Sequence, residues 1–183
     1  MKFKNLEIPE IKIIEPEIFI DDRGHFFESF NEVQFSEIVS DRISFVQDNQ
    51  SFSKKNVLRG LHFQLPPMGQ GKLVRVITGE VFDVVVDLRK SSNTFGKWVS
   101  YILNGEKNDQ MWIPAGFAHG FYCLQDSIVQ YKTTKLYSPK NEGSIKWNDP
   151  LLSINWPIGK YKPKTSQKDE RSELFDFSKN YFD

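Results

Sequence analysis

The clearest strand in the sequence is Glu80-Val-Phe-Asp-Val-Val-Val-Asp-Leu88, which directly follows Gly79. Apolar residues at every second position, from Phe82 to Leu88, alternate with Asp83 and Asp87 on the other side. Alternation with a period of two is typical of a β-strand with one apolar face, and glycine is common in the turn before such a strand. This stretch therefore predicts an extended strand.

Similar short segments rich in Val, Ile, Phe and Tyr recur along the chain between turn residues. Their spacing predicts an all-β sandwich or barrel of about nine to twelve strands rather than βαβ units. One short helix is predicted to begin near Asn31, whose side chain can cap the amide of Gln34. Its apolar side, formed by Phe35, Ile38 and Val39, is expected to pack on a sheet. The other predicted strands span residues 11–14, 26–30, 45–47, 57–63, 73–77, 98–103, 120–124 and 128–133.

Composition limits the classes of protein that fit. The 183 residues predict a single domain, 1–183, with a polar tail from about Pro157. The 24 basic and 24 acidic residues cancel, so no basic excess indicates a nucleic-acid partner. The apolar runs are too short to span a bilayer, so no membrane partner is expected. One cysteine, Cys123, and a start that turns polar at once predict a cytoplasmic protein.

Three glycine-punctuated segments carry the candidate chemistry. They read Arg59-Gly-Leu-His-Phe-Gln64, Gln70-Gly-Lys-Leu-Val74 and Ile113-Pro-Ala-Gly-Phe-Ala-His-Gly-Phe121, and they hold two of the three histidines in the chain. Imidazole titrates near neutrality, whereas arginine and lysine can hold a phosphate or a developing oxyanion. The segments therefore indicate proton transfer on an anionic substrate.

His62 fits either a general base or a structural imidazole that donates to a carbonyl. The nearby cations and the polar run Gln47-Asp-Asn-Gln-Ser51 favour a cavity lined for a ligand, because such groups are costly in a core. Strict alternation places Arg59 and His62 on opposite faces of their strand. A bulge at Gly60 is the alternative, and it turns both side chains inward.

No metal or other cofactor is predicted. A catalytic metal in a β-sandwich of this kind needs at least three fixed donors, often including a second histidine close to the first. Here Gln64 stands where that second histidine is expected, and no glutamate follows closely. The sequence around His119 fits a binding site and a tightly turned buried segment equally well. The sequence around Tyr131, taken alone, favours a packing side chain.

The series of motifs resembles the dTDP-4-dehydrorhamnose 3,5-epimerase family, from about Ile14 to about Leu174. The resemblance rests on Asp22-Arg-Gly24 with Phe27-Glu28, Gln47-Asp-Asn49, Leu58-Arg-Gly-Leu-His-Phe-Gln64, residues 70–74, Gly79, Asp83-Val84, Val86-Asp-Leu-Arg89, residues 113–121, Tyr131-Lys132, Tyr137, Trp147-Asn-Asp-Pro150, Trp156-Pro157 and Ser166-Gln-Lys-Asp169.

This resemblance implies a cupin-type double-stranded β-helix (jelly roll) with a few short helices and no metal. It implies that His62 is the base, that Asp169 orients it, that Tyr131 is the acid on the opposite face, and that Lys72 stabilises the enolate oxygen. It also implies a homodimer, in which the N-terminal strand and residues 23–28 can reach the partner's site, and a dTDP-4-keto-6-deoxy sugar substrate. The positions that match substrate contacts are Arg23, Glu28, Gln47, Asp48, Asn49, Arg59, His119, Glu142 and Lys168.

Three functions stay open at this stage. The first is inversion of carbons 3 and 5 of dTDP-4-dehydro-6-deoxy-D-glucose, which gives dTDP-4-dehydro-L-rhamnose for L-rhamnose biosynthesis. The second is a relative that inverts one carbon only or that acts on a different nucleotide 4-keto-6-deoxy sugar. The third is a sugar-binding cupin without activity, which is expected to lack His62, Tyr131 or Asp169, whereas this sequence keeps all three.

Overall fold

The computed structural model describes residues 1–39, 43–160 and 162–183. These residues form thirteen strands and two short helices, which confirms the predicted all-β cupin architecture. The strands are β1 (Lys2–Asn5), β2 (Lys12–Glu15), β3 (Ile18–Asp21), β4 (Gly24–Phe27), β5 (Gln47–Ser53), β6 (Leu58–Gln64), β7 (Lys72–Thr78), β8 (Glu80–Asp87), β9 (Trp98–Asn104), β10 (Gln110–Ile113), β11 (Phe117–Cys123), β12 (Ser127–Thr133) and β13 (Glu142–Ser144), and the helices are α1 (Glu32–Val39) and α2 (Gln167–Glu170).

Two antiparallel sheets form the body of the fold. One has six strands in the order β1-β2-β10-β7-β12-β5, and the other has five in the order β13-β6-β11-β8-β9. Strands β3 and β4 pair with each other alone, as a separate hairpin. Alternation along each strand gives each sheet an inner face, which packs on the other sheet, and an outer face. Apolar residues lie on both faces of each sheet.

Three clusters of buried side chains fill these faces. The inner cluster joins both sheets, with Val74 and Val129 from the larger one and Val85 and Phe121 from the smaller one. The outer face of the smaller sheet is covered by the C-terminal segment, where Phe175 and Tyr181 pack on Leu61 and Val84, among others. The outer face of the larger sheet is covered by α1.

Helix α1 forms as predicted. The Asn31 side chain accepts a hydrogen bond from the amide of Gln34 at 3.2 Å, and Phe35 and Ile38 are buried against Leu73 and Trp112 of the sheet. The apolar spacing therefore identified both the helix and the face that it buries. Among the described residues, no helix is long and apolar enough to cross a membrane.

Two strand predictions are wrong in position. The segment 45–47 was expected to be a strand, but β5 begins only at Gln47, and Phe45 packs with the aromatic side chains under α1 instead. The segment 26–30 was expected to be a strand, but β4 ends at Phe27 and begins at Gly24, whose φ of 127° closes the hairpin turn. In both cases aromatic residues beside a strand were read as part of it.

A bulge in β6 decides which side chains reach the inside. Opposite β11, His62 pairs with His119 and Arg59 pairs with Phe121, so the register shifts between these two positions. Gly60 has a φ of 119°, and a Cβ on it would lie 2.5 Å from the Cα of Gly120. Only glycine fits there without displacing the backbone. Of the two arrangements considered for Arg59 and His62, the bulge is the one observed.

Candidate active site

A cavity of about 440 Å³ opens between the two sheets, at the end of the inner cluster. The smaller sheet contributes side chains from β6, β11 and β13, and the larger sheet contributes side chains from β5, β7 and β12. The lining includes Gln47, Asn49, Ser51, Arg59, His62, Gln64, Gln70, Lys72, His119, Phe121, Tyr131, Tyr137 and Glu142. Most of these side chains are polar, as expected of a cavity for a charged ligand.

His62 is held by a carboxylate that is far away in sequence. Its Nε2 lies 2.6 Å from Oδ1 of Asp169, which is buried, while about a third of the His62 side chain stays exposed. The pairing fixes the orientation of the imidazole and leaves its other ring nitrogen, Nδ1, for the substrate.

The C-terminal segment places Asp169 behind His62. Lys164 bridges to Val57 just before β6, with the amide of Leu58 donating to the Lys164 carbonyl at 2.9 Å. Ser166 then caps α2, and its hydroxyl donates to Oδ2 of Asp169 at 2.7 Å. Burial opposes ionisation of Asp169, but the hydrogen bonds from His62 and Ser166 outweigh it and lower the pKa of this carboxyl.

Tyr131 and Lys72 line the cavity from the opposite, six-stranded sheet. Burial is the main cause that raises the pKa of Tyr131, so the hydroxyl keeps its proton at neutral pH and can act as an acid. Lys72 is almost fully buried, and its Nζ donates to the carbonyl of His62 at 3.3 Å. Burial lowers the pKa of Lys72 to about 8. The cavity therefore has a base on one wall, and an acid and a cation on the other.

His119 on β11 and Arg59 on β6 provide further polar groups in the cavity lining. Nε2 of His119 lies 2.8 and 2.9 Å from the two oxygens of Asp83, so Nδ1 is the ring nitrogen left for a ligand. Nε of Arg59 donates to the hydroxyl of Ser53 at 2.9 Å. A planar guanidinium in this position suits a diphosphate.

The mouth of the cavity is shaped by the chain between β12 and β13. Glu142 forms an ion pair with Lys168 and accepts a hydrogen bond from the Tyr137 hydroxyl at 2.9 Å. The amide of Tyr137 in turn donates to the side chain of Gln47 at 2.9 Å. Burial acts against ionisation of Glu142, but its bonds with Lys168 and Tyr137 lower the pKa of the carboxyl.

Gln64 has a structural task in place of a metal ligand. Its amide nitrogen donates to the carbonyls of Met68 and Leu136 at 2.7 and 3.2 Å, and its oxygen accepts from the amide of Ser138 at 2.8 Å. These bonds tie together the loops on both sides of the cavity. Among residues 1–39, 43–160 and 162–183, no cluster of three or more His, Cys, Asp or Glu side chains could hold a metal ion.

Four predicted binding residues do not line this cavity. Asp48 lies on the outer side of β5, where both of its oxygens are 3.1 Å from Nζ of Lys132, because alternation turns it away from Gln47 and Asn49. Arg23 and Glu28 lie on and just after the β3–β4 hairpin and are exposed. Lys168 is outside the lining but is bound to Glu142. The other predicted residues are brought together.

Reasoning from the sequence did not single out Gln70, Tyr137 or Asp83 as members of the site. Tyr137 is an aromatic residue in a polar loop, and the side chain is 53% exposed at the cavity mouth. An exposed aromatic residue between two segments with site residues is the signal that could have identified it. Asp83 lies between Val81 and Val85 on the inner face of β8, and a carboxylate among the apolar residues of a strand was a similar signal.

Comparisons with known proteins agree with this geometry. A family model described as dTDP-4-dehydrorhamnose 3,5-epimerase matches residues 5–176. A dTDP-4-dehydrorhamnose 3,5-epimerase of Salmonella typhimurium is 54% identical over 170 residues, which cover 92% of each chain. The crystal structure of a dTDP-6-deoxy-D-glucose-3,5-epimerase from Legionella pneumophila, in complex with dTDP-4-keto-L-rhamnose, is 50% identical with a TM-score of 0.91 and covers 94% of this chain and 92% of that one.

A more distant solved structure belongs to an enzyme that inverts one carbon. It is a 3'-monoepimerase from Streptomyces bikiniensis in complex with dTDP-quinovose, 33% identical with a TM-score of 0.87, and the match covers 93% of this chain and 86% of that one. The higher identity and fuller coverage lie with the 3,5-epimerases. By its sequence, its fold and the residues of its cavity, the chain belongs to the dTDP-4-dehydrorhamnose 3,5-epimerase family.

Proposed function

We propose that the chain inverts carbons 3 and 5 of dTDP-4-dehydro-6-deoxy-D-glucose and so makes dTDP-4-dehydro-L-rhamnose for L-rhamnose biosynthesis. The observation that carries the proposal is that His62 and Tyr131 lie on facing sheets around one cavity, with the buried Lys72 beside them. Inversion needs a base on one side of the sugar ring and an acid on the other, and these two walls provide them.

The proposed step begins at a hydrogen next to the keto group. His62 takes the proton from carbon 3, the electron pair of the broken bond forms the enolate, and Lys72 stabilises the negative oxygen at carbon 4. Tyr131 then gives a proton to the other face of carbon 3. The same sequence at carbon 5 completes the reaction, and both groups recover their protonation states through solvent.

The remaining residues of the cavity suit a nucleotide sugar. Arg59 can bind the diphosphate through the N–H groups of its guanidinium, and His119 lines the same cavity. The aromatic ring of Tyr137 and the amides of Gln47 and Asn49 suit the base and ribose. The proposal needs no metal or other cofactor, because Lys72 supplies the positive charge at the oxygen.

One experiment tests the proposed activity directly. The purified protein is incubated with dTDP-4-keto-6-deoxyglucose and a reductase that accepts only the doubly inverted ketone. Formation of dTDP-L-rhamnose is expected, and it should require both proteins. A substrate that is converted but not reduced would favour the second candidate function, a monoepimerase. The similarity to the Streptomyces bikiniensis enzyme is the reason to test for it.

We further propose a homodimer in which the β3–β4 hairpin completes the partner's site. The hairpin exposes three large apolar side chains, Phe19 by 54%, Ile20 by 82% and Phe26 by 67%. An exposed apolar group of this size is typical of an interaction surface. Arg23 at the hairpin turn is 85% exposed and is bound only to its neighbour Asp21 among the described residues.

A cytoplasmic location is also proposed, which the single buried cysteine supports.

Mixing two inactive variants tests this arrangement. A variant with Arg23→Ala and Glu28→Ala lacks the hairpin groups, and His62→Ala lacks the base. If the hairpin acts in the partner's site, a heterodimer has one intact site, and random mixing should restore about a quarter of wild-type activity, because about half of the dimers are heterodimers. Mixtures that stay as inactive as their components would contradict the exchange of groups between subunits.

A further inference from the structure

The loop between β12 and β13 carries Tyr137 at the mouth of the cavity. Residues 134–141 belong to no strand, so no sheet ladder holds this part of the backbone. The Tyr137 side chain is exposed and contributes an aromatic ring to the cavity lining. Loops are more mobile than the elements that they connect. The ring therefore presents a fixed face to a ligand only if the backbone on both sides of it is held.

Gln64, the last residue of β6, holds this backbone on both sides of Tyr137. Its Nε2 donates to the carbonyl of Leu136 at 3.2 Å, and its Oε1 accepts from the amide of Ser138 at 2.8 Å. The same Nε2 donates to the carbonyl of Met68 at 2.7 Å, in the loop that follows β6. One buried side-chain amide therefore joins the residues directly before and after the aromatic ring to the five-stranded sheet.

Two further contacts hold Tyr137 itself. Its amide donates to Oε1 of Gln47 at 2.9 Å, and its hydroxyl donates to Glu142 at 2.9 Å. Gln64 differs from these two partners in one respect. A primary amide has two N–H groups, and the carbonyls of Met68 and Leu136 occupy both of those of Gln64. Although it lines the cavity, Gln64 therefore has no N–H group left to donate to a ligand.

We propose that Gln64 is a positioning residue for nucleotide binding, which keeps Tyr137 in the orientation in which its ring stacks on the base of the substrate. Stacking on an aromatic ring is a common way to bind a base, because every base has a π-face. A loop that is ordered before the ligand arrives loses little conformational freedom on binding, and this increases affinity. The role rests on the proposed function, because it requires a nucleotide sugar in the cavity.

The test measures the Kd of dTDP by isothermal titration calorimetry, independently of turnover. Gln64→Met keeps the length of the side chain and removes all three hydrogen bonds. The Kd should rise about three- to tenfold, the effect expected when one or two side chains must be ordered on binding. The KM for the dTDP-4-keto sugar should rise in parallel and kcat should stay unchanged, because His62 and Tyr131 act on the sugar and not on the base.

A double variant shows whether Gln64 acts through Tyr137. Tyr137→Ala should raise the Kd of dTDP about ten- to a hundredfold, as is typical of losing a stacked ring. Adding Gln64→Met to it should cause no further rise, since the ring to be positioned is gone, whereas independent effects would multiply. Multiplied effects would overturn the proposal, because they would assign Gln64 a role that does not depend on the ring.

Gln110→Met is the matched control. Gln110 is also a buried glutamine on a strand, and its Nε2 donates to the carbonyl of Ser29 at 2.7 Å, outside the cavity lining. This variant should lower the melting temperature and leave the Kd of dTDP unchanged. Gln64→Glu serves as a second variant should Gln64→Met not fold. It keeps the size and the acceptor but places an oxygen against the two carbonyls, so the Kd should rise in the same way.

Wild-type affinity for dTDP in a folded Gln64 variant would overturn the proposal and leave the proposed function intact. A fall in kcat with an unchanged KM would also overturn it, because Gln64 would then act on the chemical step rather than on nucleotide binding. Failure of the wild-type protein to bind dTDP would instead contradict the proposed function, and the role of Gln64 with it.

Discussion

Replacing His62 with alanine is expected to abolish exchange of both substrate hydrogens, at carbon 3 and carbon 5, with the solvent. This one imidazole removes both protons in the proposed reaction, and losing such a base typically lowers the rate by about 10²- to 10⁴-fold. A proton NMR time course in deuterium oxide follows the two positions separately. If one exchange persisted at the wild-type rate, two independent bases would operate, and the single-base account would be wrong.

Asp169→Asn is expected to slow hydrogen exchange at carbon 3 and carbon 5 without abolishing it. The amide keeps the size of the side chain, but it removes the negative charge that lies 2.6 Å from Nε2 of His62. The imidazolium formed after proton removal loses its partner, so both exchanges should slow in parallel. A selective loss at one carbon would indicate that Asp169 does not act through His62.

Tyr131→Phe is expected to separate proton removal from inversion. The substitution keeps the ring against the inner cluster and removes only the proton donor. Exchange on the His62 side should continue, while inverted product falls by about 10²- to 10⁴-fold, as is typical when an acid group is lost. Exchange is measured by deuterium uptake, and inversion by the product that the reductase accepts.

Tyr122→Phe is the matched control for this variant. Tyr122 is also a buried tyrosine on a strand, and its hydroxyl donates to Asn56 at 2.8 Å, away from the cavity. Losing that bond should cost about 1 kcal/mol of stability and leave turnover unchanged. Product formation by Tyr131→Phe at the level of this control would assign Tyr131 a packing role only.

Local patterns were enough to predict most of the strands and helix α1. Alternation along Glu80 to Leu88 and the cap at Asn31 depend on neighbours in sequence, and both are found in the structure. Strands of four residues, such as β1, β3 and β10, were missed, because a segment of that length is too short to show a period. The place where β5 begins also escaped prediction, because Phe45 packs under α1 rather than in a sheet.

Local sequence patterns predicted only some of the residues of the site. Residue types and polar density pointed to His62 and Lys72, whereas Tyr131 alone favoured packing. The contact of His62 with Asp169 joins positions 107 residues apart, and only the resemblance to a family suggested it. Alternation could not place Arg59 and His62 on one side, because the bulge at Gly60 depends on the approach of Gly120 from the neighbouring strand.

The most direct test of the central claim is the isotope content of the product made by the wild-type protein in deuterium oxide. One base and one acid acting in turn at two carbons must leave solvent deuterium at both carbon 3 and carbon 5 of the dTDP-4-keto sugar. Proton NMR of fully converted product should therefore show both signals lost. Protium retained at either carbon would contradict inversion at both positions, and retention at one carbon only would identify a monoepimerase.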